Sequence, residues 1–200
     1  MEILGQKLTR DFYLRPTLTV APDLLGKTIV YNHPQRQLAA DIVEVEAYVG
    51  EDDPACHAAS GKTERNRVMY GRGGYSYLYF IYGMYHCFNI VTERDGFPAA
   101  VLIRGVEPFI GKDIMSRLLP PGKSPNWLIS DGPGKFCRAF GLTRKQNGLD
   151  LTGSELFLID RGNEKPHVGV SPRVGIKKAT KREWRFFDIN SRYVSGNRTV

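Results

Sequence analysis

A buried cation is the first feature of the sequence that could take part in chemistry. Arg104 stands in the middle of "PAAVLIRGVEP", a run that otherwise has the composition of a buried strand. A guanidinium keeps its charge and is costly to bury without a carboxylate partner. Glu46 in "DIVEVEAYVG" and Glu107 on the arginine's own strand are both candidates. The pair is either part of a catalytic site or a structural ion pair that fixes strand register.

The segment that carries Glu46 is predicted to be a strand with two chemically different faces. Side chains alternate across a strand. The alternation puts on one face Ile42, Glu44, Glu46 and Tyr48, and on the other Val43, Val45 and Ala47. One face therefore belongs to the core, and the other is solvated or functional.

Five tyrosines are concentrated in "YSYLYFIYGMYHCFNI", residues 75–90, which is predicted to be a β-hairpin. Tyr75, Tyr77 and Tyr79 alternate onto one face of its first strand, where an aromatic ladder is a sufficient reason for the first two. Tyr82 falls at the turn beside Gly83. A ring at the tip of a hairpin has little core to pack against, so Tyr82 is available to insert into another molecule.

Two further clusters give weaker signals of a functional site. Glu51, Asp52, Asp53 and His57 are close in sequence, but their spacing matches no zinc or calcium pattern, so a solvated or helix-capping loop is favoured over a metal site. The "GPGK" at 132–135 lacks the spacing of a phosphate-binding P-loop. It is typical of a turn that opens a helix, whose amides could touch a phosphate.

The composition is that of an ordinary globular domain with a basic surface. The chain has 200 residues and a net charge of +7, and the last thirty residues hold eight Lys or Arg against two acids. Such a surface favours a polyanionic partner, although a solvated basic tail is an equally simple reading. The three cysteines form no CxxC pair, which argues against a disulfide framework and a zinc site. With no membrane span or secretory signal, a cytoplasmic location is expected.

The pattern along the chain predicts a single α+β domain over residues 1–200. Helices are expected at 17–25, closed by Gly26, in "GKDIMSRLL" and in "GPGKFCRAFGL", with a loop at 120–126. Strands are expected at 27–31, 38–48, 98–108, 156–160, 173–177 and 184–189 in addition to the hairpin. These elements predict a curved, mostly antiparallel β-sheet with flanking helices and a protruding β-hairpin.

Five segments taken together resemble the alkyladenine (3-methyladenine, methylpurine) DNA glycosylase family in identity, order and spacing. They are "VEVEAYVGEDDPACHAASGKTERNRVMY", "LYFIYGMYHCFNIV", "AVLIRGVEP", "GPGKFCRAFGL" and "PRVGI". The resemblance implies a monofunctional base excision repair enzyme that needs no metal or cofactor. Such an enzyme flips 3-methyladenine, 7-methylguanine, hypoxanthine or etheno-adenine out of double-stranded DNA and hydrolyses the N-glycosidic bond, which leaves an abasic site.

The resemblance also assigns catalytic roles. Glu46 aligns with the general base that activates water, Arg104 with an arginine that helps to hold this water, and the backbone carbonyl of Val174 with a third water contact. Tyr48, His57 and Tyr79 align with residues that stack on the extruded base. Together with Asn89 they form the expected base-binding pocket, and Tyr82 is the expected wedge.

Asn89 aligns with a residue whose amide excludes the 2-amino group of normal guanine, and Tyr82 with a side chain that fills the gap left by the flipped nucleotide.

The sequence departs from the family pattern at two places. Glu64 stands where many relatives have proline, and residues 177–185 are more basic than the resemblance leads us to expect. The longer family members carry an N-terminal extension that this chain lacks, so a minimal, bacterial version is expected. A nucleoid-associated monomer is the default expectation. The alternatives are a non-catalytic DNA-binding module of the same fold and a metal-dependent hydrolase.

Overall fold

The computed structural model describes residues 3–119 and 129–196, which contain nine strands, four short α-helices and three 3-10 helices (His57–Ser60, Arg67–Tyr70 and Arg144–Gln146). The strands are β1 (Gln6–Lys7), β2 (Thr28–His33), β3 (Arg36–Val49), β4 (Ser76–Ile81), β5 (Tyr85–Val91), β6 (Ala99–Ile110), β7 (Leu156–Asp160), β8 (Val168–Ser171) and β9 (Arg185–Asp188). The helices are α1 (Arg10–Tyr13), α2 (Thr17–Asp23), α3 (Lys112–Arg117) and α4 (Pro133–Phe140). Among these residues no helix is both long and apolar enough to cross a bilayer.

All strand pairings are antiparallel and form one sheet in the order β1-β7-β2-β3-β6-β5-β4. The sheet branches at β3, whose second half also pairs with β9, and β9 in turn pairs with β8. The core lies between the sheet and the helices, where Phe136 of α4 packs against Phe88 of β5 and against Phe140 of its own helix. The predicted α+β class with a mostly antiparallel sheet is confirmed.

Three register shifts interrupt the pairing of β3 with β6, and the two next to Glu44 decide which side chains reach the site. Ile42 pairs with Val106 and Glu44 with Gly105, so Val43 between them is an extra residue. Val45 then pairs with Ile103, so Arg104 is the extra residue on β6. A bulge re-aims side chains, because one added residue changes the face on which all later residues point.

The bulge at Val43 corrects the predicted faces of β3. Ile42 lies in the main core cluster together with Val45 and Ala47, not on the face of the two glutamates. Alternation holds on each side of Val43 but not across it. The prediction that Ile42 shares a face with Glu44 and Glu46 is therefore wrong.

The C-terminal third departs furthest from the predicted elements. The strands predicted at 156–160 and 184–189 are confirmed by β7 and β9. The run 173–177 is not a strand, and β8 lies just before it at Val168–Ser171. Residues 173–177 instead form an irregular segment in which Val174 and Gly175 are exposed. The loop predicted at 120–126 lies outside the described residues.

The hairpin predicted at 75–90 is formed by β4 and β5, and its turn has an uncommon backbone. Ile81 pairs with Tyr85, and the Met84 amide donates to the Ile81 carbonyl. Tyr82 and Gly83 between them have φ values of 54° and 66°. Two successive left-handed residues are the signature of a type I′ turn, whose twist matches that of paired strands. Glycine adopts this conformation freely, whereas tyrosine does so at a cost of about 1 kcal/mol.

Candidate active site

Glu46 is fully buried, accepts two hydrogen bonds and forms an ion pair with Arg104. Its Oε1 lies 2.7 Å from the backbone nitrogen of Val174 and 3.2 Å from Nη1 of Arg104. Its Oε2 accepts a 2.8 Å bond from the Tyr48 hydroxyl. A carboxylate has about four lone-pair positions. Oε1 already contacts the Val174 amide and the Arg104 guanidinium, whereas Oε2 accepts one hydrogen bond, so Oε2 has a position left for another donor, such as water.

Arg104 bridges two buried glutamates rather than pairing with one. Its Nε lies 2.8 Å from Oε1 of Glu44, while its Nη1 contacts Glu46. The exposed Glu107 is not part of this group, so of the two partners considered from the sequence only Glu46 contacts the arginine. Two carboxylates compensate the burial of the guanidinium, and the pKa of Arg104 is raised because their attraction outweighs burial, which by itself would lower it.

Glu44 lies at the centre of a wider network of hydrogen bonds and ion pairs that the sequence did not predict. Besides Arg104, it binds Nε of Arg185 at 2.7 Å and both the amide and the hydroxyl of Ser195. Ser195 reaches this position because the backbone near Tyr193 crosses β6 at Gly105, where an added Cβ would lie 2.4 Å from the Tyr193 carbonyl oxygen. A side chain at 105 would therefore displace the C-terminal segment from the site.

A cavity of about 490 Å³ opens in front of these groups. Glu46 lies beneath its wall, since Tyr48, Arg104 and Val174, the three residues that contact Glu46, all line it. The other residues predicted for the site also line it, namely His57, Tyr79, Tyr82 and Asn89. The structure thus brings all the predicted site residues to one place. The volume falls within the range of small-molecule pockets, which are mostly apolar with a few placed polar groups.

Aromatic rings make up much of the cavity wall. The rings of His57 and Tyr79 meet edge to face with centroids 4.4 Å apart, and Nδ1 of His57 lies 2.9 Å from the Tyr77 hydroxyl oxygen. Burial and, to a smaller extent, the Arg65 guanidinium lower the pKa of His57 to about 4. His57 is therefore a neutral ring at neutral pH and adds no positive charge to the cavity. Burial, together with Glu46, raises the pKa of Tyr48, which stays a neutral hydrogen-bond donor.

Asn89 is held in a fixed orientation at the base of the hairpin. It lies on β5 between Tyr77 of β4 and Leu102 of β6, and its Nδ2 donates a 3.0 Å bond to the Tyr77 carbonyl. Asn89 is only 3% exposed, and it lines the cavity. It is therefore a rigid polar feature of the cavity surface.

Tyr82 projects from the hairpin tip at the edge of the cavity. It is 78% exposed, although tyrosine usually buries its ring. Its neighbour Met84 is 64% exposed. The tip therefore presents two large side chains mostly to solvent.

The acidic loop considered as a metal site is divided among different partners. The Glu51 carboxylate accepts a bond from the Tyr70 hydroxyl, whereas Asp53 is buried against Arg173 with Nη1 to Oδ2 at 2.5 Å. His57 faces the cavity aromatics instead. Over the described ranges, no three His, Cys, Asp or Glu side chains are grouped so that they could hold a metal ion. These residues do not converge on one point.

Comparison with known proteins identifies the family. A family model described as "Methylpurine-DNA glycosylase (MPG)" matches residues 11–192. The chain belongs to this family. A protein of Methanocella arvoryzae named "Putative 3-methyladenine DNA glycosylase" is 51% identical over 191 residues, which cover 94% of this chain and 95% of that protein. Proteins of the same name from Sodalis glossinidius (48% identical; 90% and 95% covered) and Wolbachia pipientis wMel (46%; 92% and 92%) are also similar. The family is one of DNA repair hydrolases that act on alkylation damage.

Two groups at the candidate site have no clear signal in the sequence or only a partial one. Glu44 alternates with Glu46 and so shares its predicted face, but the sequence alone assigns Glu44 no role. The Asp53–Arg173 pair joins residues far apart in the chain, for which no local pattern exists. The expected contact of the Val174 carbonyl with water stays a prediction, and the Val174 group that contacts Glu46 is the amide.

Proposed function

We propose that this protein is a monofunctional DNA glycosylase that extrudes damaged purines from duplex DNA and hydrolyses their N-glycosidic bond. The proposed substrates are 3-methyladenine, 7-methylguanine, hypoxanthine and etheno-adenine. The family fixes the class of enzyme, and the proposal concerns the substrates and the mechanism. The observation that carries the mechanism is the Glu46 carboxylate, buried beneath the wall of an aromatic cavity with one lone-pair position left on Oε2.

In the proposed reaction Glu46 is the general base. A water held at Oε2 attacks C1′ of the damaged nucleotide and transfers its proton to the carboxylate, while the electron pair of the N-glycosidic bond leaves with the base. The sugar gains oxocarbenium character, and nearby negative charge stabilises it. The Val174 amide and Arg104 occupy Oε1, so they orient the carboxylate and leave the other oxygen for water.

The aromatic wall supports the proposed base-binding role. A purine between Tyr48 and the pair His57 and Tyr79 would stack on rings, and such stacking contributes roughly 1 to 3 kcal/mol per base. Purines methylated at N3 or N7 are cations while attached to the sugar, so aromatic faces attract them more strongly. Neutral His57 favours these cations because it adds no repelling charge. The buried Asn89 would restrict which exocyclic groups fit.

Tyr82 is the proposed wedge. An exposed ring at the hairpin tip could enter the base stack as the nucleotide leaves it and offset part of the unstacking cost, which is a few kcal/mol. Phosphate contacts would come from the exposed lysines at 177, 178 and 181, which directly follow the cavity residue Ile176. This segment is where the sequence is more basic than expected.

The proposal is tested by incubating the protein with duplexes that each carry one lesion, with EDTA present, and measuring abasic sites. Abasic sites in the lesion strand, and none in undamaged DNA, are the expected result. Binding to lesion DNA without abasic sites would instead support the non-catalytic DNA-binding module. Activity that EDTA removes and a divalent cation restores would support the metal-dependent hydrolase.

A further inference from the structure

A buried ion pair stands directly behind the cavity wall and has no part in the mechanism above. Arg173 binds both oxygens of Asp53, with Nη1 to Oδ2 at 2.5 Å and Nη2 to Oδ1 at 2.7 Å. Both side chains are 0% exposed. The guanidinium carbon lies 4.6 Å from the centroid of the Tyr48 ring and 5.1 Å from that of Trp184. Arg173 does not line the cavity, so it contacts the face of Tyr48 that is turned away from the cavity.

We propose that Asp53 is a specificity-determining residue: by neutralising Arg173 it keeps the Tyr48 wall electrically balanced, so that cationic purines are accepted beside neutral ones. This inference rests on the proposed function, in which a purine stacks on the cavity face of Tyr48. A base stacked there would lie about 9 Å from the guanidinium on the opposite face of the ring. At that distance inside a protein, an unbalanced cation changes the binding of a charged base, relative to that of a neutral base, severalfold.

Removing the Asp53 charge has opposite effects on the two classes of lesion. The 7-methylguanine base is positive when it enters the pocket, so an unbalanced Arg173 repels it. Hypoxanthine is neutral on entry and gains negative charge as the bond breaks, so the same cation favours its departure. Both effects lower the ratio of kcat/KM for 7-methylguanine to kcat/KM for hypoxanthine. A purely structural defect would slow both reactions by a similar factor.

A second cation lies near the Asp53–Arg173 pair, and its removal should raise the ratio of kcat/KM for 7-methylguanine to kcat/KM for hypoxanthine. Nη1 of Arg182 lies 3.6 Å from Oδ1 of Asp53, and its side chain is 36% exposed. Arg182→Gln removes this charge and leaves the buried pair intact, so the ratio should rise about twofold. Because Arg182 is partly solvated, this variant is expected to fold even if Asp53→Asn, which buries an uncompensated cation, does not.

The experiment compares kcat/KM for the two lesions in the same duplex sequence, using Asp53→Asn, Asp53→Asn with Arg173→Gln, and Arg182→Gln. The ratio should fall roughly fivefold in Asp53→Asn and return to within about twofold of wild type in the neutral double variant. The matched control is Asp41→Asn. This substitution removes the carboxylate from another ion pair, in which Asp41 and Arg161 lie 2.5 Å apart. The Arg161 guanidinium stacks on Phe109, and Phe109 does not line the cavity.

An unchanged ratio in Asp53→Asn would overturn the proposal, and so would an unchanged ratio in Arg182→Gln if Asp53→Asn does not fold. An equal change in the Asp41→Asn control would do the same, because the effect would then be general. Failure of the proposed function looks different: the wild-type protein would release neither base, and there would be no ratio to compare.

Discussion

Arg104 Nε lies 2.8 Å from Glu44 Oε1, closer than the 3.2 Å that separates Arg104 Nη1 from Glu46 Oε1. The nearest partner of the site arginine is therefore a carboxylate that the proposed reaction does not use. Glu44 also holds Arg185 and Ser195, so one buried anion joins β3, β6, β9 and the C-terminal segment. The proposed catalytic carboxylate and this structural carboxylate share one cation.

Glu44→Gln should destabilise the protein strongly. The substitution leaves two buried arginines with one carboxylate fewer, and breaking a buried ion pair typically costs 3 to 5 kcal/mol. Urea denaturation should show a free energy of unfolding lower by about 3 kcal/mol. Asp113→Asn, which removes an exposed carboxylate from the ion pairs with Arg36 and Arg117, should change it by less than about 0.5 kcal/mol. Equal effects of the two substitutions would contradict the role of Glu44.

Tyr82→Asn should distinguish the role of the Tyr82 ring in DNA from the effect of this residue on the stability of the turn. Asparagine tolerates the left-handed backbone at this position better than tyrosine, so the free energy of unfolding should stay the same or rise slightly. Excision of hypoxanthine from duplex DNA should fall about tenfold, since the lost ring no longer offsets unstacking, which costs a few kcal/mol. Excision from single-stranded DNA should change much less. Leu4→Asn, which alters a side chain that is 80% exposed, is the control. Unchanged duplex excision by Tyr82→Asn would show that the ring is dispensable.

His57 should make stability fall as the solution becomes acidic. Its folded pKa is about 4, against 6.5 for an ordinary histidine, because burial and Arg65 disfavour the imidazolium. The unfolded chain therefore binds the proton first, and the stability that His57 contributes above pH 6.5 is lost as the pH falls towards 4. NMR titration should give a midpoint near 4 for His57. The free energy of unfolding should drop less between pH 7 and 5 in His57→Gln than in wild type, and identical drops would contradict this account.

Lys177, Lys178 and Lys181 should supply phosphate contacts. Each contact with B-DNA adds about 0.9 to the slope of log K against log salt. Replacing all three by glutamine should reduce the slope for undamaged duplex by about 2.7 if every one of them meets phosphate. The control replaces Lys7, Lys112 and Lys165, which changes the charge equally but elsewhere in the chain. A slope that falls equally in both variants would mean that binding follows net charge alone.

The parts of the fold and site that could be predicted from the sequence are those with a local signal. Gly83 between two apolar runs marks the hairpin, and a charge inside an apolar strand marks Arg104 as needing a carboxylate. The resemblance to the family then named the residues that line the cavity. Their roles in binding and catalysis stay predictions until they are measured.

The parts that could not be predicted depend on long-range geometry. The bulge at Val43 moves Ile42 into the core, and no residue type at that position announces it. Residues 173–177 have the composition of a strand, but Arg173 turns inward to meet Asp53 and Tyr48, so the backbone follows the ion pair instead of the sheet. Both features arise from contacts between segments that are distant in sequence.

The central claim, that Glu46 activates the water, is tested most directly by single-turnover excision with Glu46→Gln. The amide cannot accept the proton, so release of 7-methylguanine and hypoxanthine should fall by about 10² to 10⁴, while affinity for lesion DNA stays within about threefold of wild type. The matched control is Glu107→Gln on β6, an exposed glutamate that should leave both quantities unchanged. Near-wild-type excision by Glu46→Gln would contradict the account, and loss of excision together with lesion binding would make Glu46 a structural residue.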